Sequence, residues 1–171
     1  MEVLKIWLFC IGAAICYGIV HDQITVRICV EYFSLFHPTI LPLKSPTLLA
    51  LQWGILATWW VGAFLGVLLA IAARAGNRIP LRAPDLFCTV GTLLLCMFAG
   101  AALAGATGFL LAKAGYFDLA WLSPLLPSEK HARFMADWWA HIASYFVGIV
   151  GGLIVCVRTY LRREKPQMAA R

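Results

Sequence analysis

His21, Asp22, Glu31, Asp137 and His141 are the residues whose types and placement suit metal chemistry in this chain. Neutral imidazole and carboxylate form the mixed N/O donor sets that zinc and non-haem iron accept. Asp137 and His141 stand four residues apart, so on a helix they share a face one turn from each other. His21 and Asp22, with Glu31, can complete the set from the other end of the chain. An open coordination position would let a bound water act as nucleophile. The expectation is therefore a divalent-metal site, hydrolytic or redox. The strong zinc spacings are missing, HExxH among them, so placement carries this reading rather than a motif.

The same residues admit other chemistries. His21 and His141 as axial ligands would hold a haem b between helices, given a flat cavity. An Asp–His pair would serve as a metal-free general base, although no nucleophile with a recognisable context accompanies it. The opposing reading has no cofactor at all. Asp22, Asp137 and the histidines are then solvated rim residues, with Asp137 meeting the helix dipole at the start of a span. Arg27–Glu31 becomes a surface ion pair, usually worth at most about 1 kcal/mol. On that reading the protein is a non-catalytic membrane scaffold, accessory subunit or assembly factor, and the residues leave open whether it is an enzyme.

Composition decides what must position these groups. Of the 171 residues, 62% are hydrophobic and only 13% charged. A soluble domain carries about twice that charged fraction, so the apolar excess must face lipid. The net charge of +6 sits beside apolar runs, with no basic stripe interleaved with aromatics, which argues against nucleic acid. Cys10, Cys16, Cys88, Cys96 and Cys156 fall inside apolar runs, where cysteine behaves as a small hydrophobe, and no disulfide framework is expected.

About 20 apolar residues cross a hydrocarbon core as a helix. Runs of that kind predict an all-α integral membrane protein, a single domain over 1–171, with transmembrane helices at about 3–20, 48–73, 86–112 and 138–157. Outer loops then cover 21–47 and 113–137, and a cytoplasmic loop and tail cover 74–85 and 158–171. The first run lacks a cleavage signal and reads as a retained helix. Arg74, Arg78, Arg82, Arg158, Arg162, Arg163, Lys165, Arg171 and Lys5 lie on one side against Glu2, Asp85 and Glu164, while the other side is balanced. The positive-inside rule makes the first side, with both termini, cytoplasmic.

Gly62 and Gly66, the small run Gly100 to Gly108, and Gly148 with Gly152 predict close helix packing in a four-helix bundle, within one chain or between chains of a homo-oligomer. Trp121, the loop Leu125–Leu126–Pro127 or the glycine faces would recognise a membrane-protein partner. Two polar stripes stand out: Cys10, Ala14, Tyr17 and His21 on the first span, and Asp137, His141, Ser144, Tyr145, Gly148 and Gly152 on the last. All four histidines map to the outer side. Residues 24–32 alternate apolar with polar and are rich in β-branched residues, which predicts a strand or small β-hairpin capping the bundle mouth, or else an extension of the first helix. Trp59 and Trp60 fall mid-span, as bundle packing or as a wall for a flat ligand. No charge occurs at mid-membrane, which argues against an ion-coupled transporter.

His21-Asp22-Gln23 with Thr25, then Val30-Glu31-Tyr32-Phe33 and His37-Pro38, resembles a segment of small bacterial membrane proteins of unassigned activity. Ser45-Pro46-Thr47-Leu48 and Ala57-Thr58-Trp59-Trp60 are similar to the same group. The resemblance covers roughly the first 65 residues. It implies a bacterial inner-membrane setting and no reaction, substrate or cofactor.

Overall fold

The computed structural model describes residues 1–165; Arg171, counted above among the cytoplasmic cations, lies outside the described residues. Among the described residues six α-helices follow one another: α1 Glu2–Ile28, α2 Val30–Leu35, α3 Pro46–Leu56, α4 Trp59–Arg74, α5 Phe87–Lys113 and α6 Ser128–Arg162. Four stretches of the described residues are long and apolar enough to cross a membrane: Glu2–Ile28, Pro46–Arg74, Ala83–Lys113 and Ser128–Arg162. Hydrocarbon offers backbone groups no partner, so each crossing stretch satisfies them internally as helix.

The second crossing is broken at Ala57–Thr58, between α3 and α4. The break is stable because side chains cover its carbonyls. The Thr58 hydroxyl donates to Gly54 O at 2.6 Å, and the Tyr145 hydroxyl donates to Ala57 O at 3.2 Å. A Thr that bonds back to the carbonyl four residues earlier commonly bends a helix.

The glycine faces join helices of the same chain. α1 packs along α3 and α4, α5 along α6, and α4 meets α6, whereas α1 and α5 meet through side chains, Phe9 against Phe87 and Tyr17 against Phe98. A Cβ at Gly62 would lie 2.7 Å from Cys10 O, and one at Gly108 would lie 2.7 Å from Met135 O. Only glycine permits these two backbone approaches, and in lipid such van der Waals contact is what holds helices together.

Residues 24–32 are not a strand; no strand occurs among the described residues. α1 runs on through Ile28, and Cys29, with extended backbone, turns the chain into α2. The buried set His21, Asp22, Thr25, Val26 follows helical spacing, while Ile24 and Ile28 face outward. Local β-propensity yields here to the hydrogen bonds that an already long helix adds one per residue. Arg27 does not pair with Glu31. It bonds Gln23 and, at 3.1 Å, the Thr47 hydroxyl, which ties the end of α1 to the start of α3.

The helices also outrun the apolar runs. α6 begins at Ser128, and its first turns bury Phe134 and Met135 with Cys29, Leu122 and Leu126 in a helical cap. Leu126 is thus core and not a docking surface. Trp59 and Trp60 both face outward, about half exposed, and neither lines the interior cavity described below.

At the opposite end, arginines close helix termini. Arg163 is buried and donates to the carbonyls of Ala72, Ala75, Arg78 and Ile79 at 2.6–3.0 Å. Arg78 donates in return to Leu161 O and Arg163 O, at 2.9 and 2.8 Å. Each cation therefore caps the carbonyl end of the other's helix, where the dipole favours it.

Candidate metal centre

Extension of α1 past its apolar run places His21 and Asp22 at the histidine end of the bundle, both buried. α6 brings His141 to the same level. The imidazoles of His21 and His141 meet edge to face with centroids 4.6 Å apart. Asp22 Oδ1 lies 3.1 Å from His21 Nδ1 and 3.4 Å from His141 Nε2. One donor atom from each of the three residues lies within 4.8 Å of the other two.

Tautomers follow from the partners. His141 Nδ1 lies 2.7 Å from Asp137 O, and a carbonyl only accepts, so Nδ1 carries hydrogen. In the neutral ring Nε2 then holds a lone pair, and that lone pair faces the Asp22 carboxylate. His21 Nδ1 lies 3.1 Å from Asp22 Oδ1, and its buried Nε2 has no protein partner. Two imidazoles and a carboxylate held this close in a buried space are stabilised by a proton or a metal cation among them. The bond from His141 Nδ1–H to a backbone carbonyl is also the outer contact that metal-binding histidines ordinarily make.

Of the five residues singled out from the sequence, the fold assembles three. Glu31 is engaged by the Lys130 ammonium and accepts from Cys29 Sγ at 3.5 Å. Burial opposes ionisation of Glu31, but Lys130 prevails and the carboxyl titrates below its ordinary range. Asp137 is fully buried with both carboxyl oxygens lacking a protein partner, and it meets the cluster through its backbone carbonyl. Burial pushes the Cys29 thiol up to about 12.

α2 covers the cluster. The Tyr32 ring lies 4.4 Å from that of His141, and Phe33 stands edge-on to the same imidazole at 5.7 Å. His37 stacks on Phe33 and packs on Trp53 at 4.5 Å. Its Nδ1 donates to Tyr32 O at 2.9 Å. Burial holds His37 below the usual imidazole pKa, with the Tyr32 carbonyl working the other way. Burial likewise raises the Tyr32 phenol. The fourth histidine, His131, is elsewhere, bonded through Nε2 to Leu126 O at 2.9 Å.

Beneath the cluster a cavity runs down the bundle interior. α1 lines it from Cys10 to Asp22 and α6 from His141 to Cys156, so both polar stripes read from the sequence face it. Tyr17 and Ser144, both in its lining, bond hydroxyl to hydroxyl at 2.8 Å. Tyr32, His37 and Trp53 are the wall residues that sequence reasoning did not assign to this centre. Tyr32 lies on α2, neither on a strand nor on α1 itself, and in the sequence His37 is distinguishable only as one of four histidines sharing a side.

No family model, curated protein or solved structure matches this chain. The centre therefore stands on its own geometry.

Proposed function

We propose that this chain is a multi-pass bacterial inner-membrane protein whose outer face carries a divalent-metal site made by His21, Asp22 and His141. The observation that carries the reading is the convergence of two imidazoles and one carboxylate within 4.8 Å, buried, on helices from opposite ends of the chain. Three protein ligands leave a coordination position open, the pattern of catalytic zinc and of non-haem iron with two histidines and one carboxylate. Rings in edge contact favour one shared ion over a haem plane between them. The excess of arginine at the other end supports a cytoplasmic side for both termini, and the resemblance over roughly the first 65 residues supports the bacterial setting.

In this arrangement Asp22 orients His21, the Asp137 carbonyl orients His141, and α2 limits water. A metal there supplies Lewis acidity to a bound water or substrate oxygen. Elemental analysis of detergent-purified protein tests the reading. One zinc or iron per chain, lost in both His21→Ala and His141→Ala while the variants stay folded, supports it. Metal-free wild-type protein that takes up neither ion on addition rejects it. The second reading, a non-catalytic scaffold or accessory subunit, draws on one observation: Glu31 is held by Lys130 instead of facing the cluster.

A further inference from the structure

The cavity below the cluster is long, narrow and polar at one end. Its lining on α1 runs from Cys10 to Asp22 and on α6 from His141 to Cys156, which at 1.5 Å per residue is roughly 20 Å. Its volume is about 140 Å³, small for a lining of that length, so the space is narrow.

Its walls below Tyr17 and Ser144 are apolar, with Leu69, Val90 and Val155 among them. Since the helices that form it cross the membrane, the bore lies at the depth of lipid tails. At the other end His21, Asp22 and His141 lie beneath α2, at the depth of lipid heads.

We propose that this cavity seats one hydrocarbon chain of a bilayer amphiphile, acyl or isoprenoid, whose oxygen-bearing head lies against His21, Asp22 and His141. A substrate of that class would bring the bond next to its head to the metal position, with the tail as anchor. The head half of this assignment rests on the metal reading; the tail half rests on the cavity alone.

Native mass spectrometry of the full-length protein in detergent tests it, on zinc-loaded and chelator-stripped samples. The probes are palmitate, geranylgeraniol and butyrate, the last keeping the palmitate head without its chain. One long-chain probe is expected to bind saturably at one per chain, at least about tenfold tighter than butyrate. Ala13→Phe and Val155→Phe, which fill the bore, are expected to weaken it about tenfold while leaving zinc content unchanged. Geranylgeraniol against palmitate separates the isoprenoid from the acyl source. Long-chain binding by stripped protein that takes up no zinc supports the tail seat and rejects the metal site. Zinc uptake with neither long-chain probe tighter than butyrate, or with binding indifferent to both filling variants, overturns the present inference and leaves the metal site standing.

Discussion

The His21 imidazole stands perpendicular to that of His141, with centroids 4.6 Å apart, although the two belong to the first and last helices of the chain. Asp22 lies against both rings. The pairing depends on the closeness of helices at the histidine end and on the caps that fix helix ends at the arginine end, and each dependence can be measured.

Gly62 admits α1 against α4. Gly62→Ala sets a methyl 2.7 Å from the Cys10 carbonyl and from the Ala14 Cβ, contacts that only backbone displacement relieves. It is expected to destabilise the protein by more than about 1 kcal/mol in reversible detergent unfolding. Gly91→Ala is the control, since nothing lies within 4 Å of its added Cβ; neutrality or a gain of about 0.5–1 kcal/mol is expected from helix propensity. Equal effects at both positions would refute the packing argument.

Arg163 is buried beneath four carbonyl contacts. Truncation leaves those acceptors unmet, so Arg163→Ala is expected to cost at least about 2 kcal/mol. Arg163→Lys keeps the charge but not the planar fork, and should recover less than half of the loss. Full rescue by lysine would mean that charge alone, and not the fork, holds the two helix ends.

His37 titrates below its ordinary 6.5 because the folded protein buries it. The unfolded chain therefore takes up this proton first as pH falls. The stability tied to neutral His37 is complete above 6.5 and declines as pH drops through that value toward the folded pKa. Unfolding midpoints at pH 7.5 and 5.5 are expected to differ more in the wild type than in His37→Asn. An unchanged difference would assign the acid sensitivity to other groups.

Single cysteines at Ser123 and Arg162, both exposed, report sidedness. In intact cells a membrane-impermeant maleimide should label Ser123→Cys and spare Arg162→Cys until the membrane is opened, each judged against the unsubstituted chain. The reverse pattern would invert the proposed orientation.

The crossings were legible because hydrocarbon excludes charge, which leaves long uncharged runs that chain order alone reveals. The helix ends were not. Val26, Ile28 and Val30 alternate with polar residues, so a nine-residue window fits period two; the buried set that includes Thr25 and Cys29 has helical spacing and becomes evident only when polar positions count as interior. His21 and His141 were readable as a pair because each lies on a stripe at matching depth. Glu31 was not separable from them, because nothing local announces that Cys29 turns the chain and delivers that carboxylate to Lys130. Trp59 and Trp60 illustrate the same limit: their depth follows from sequence, but their direction follows from the break at Ala57–Thr58.

X-ray absorption at the zinc edge of zinc-loaded protein tests the centre most directly. The account predicts a first shell of nitrogen and oxygen at about 2.0–2.1 Å with the outer scattering of two imidazoles and no sulfur, and one imidazole fewer in His141→Ala. A shell containing sulfur, or a wild-type spectrum that His141→Ala and Asp22→Asn leave unchanged, would contradict it.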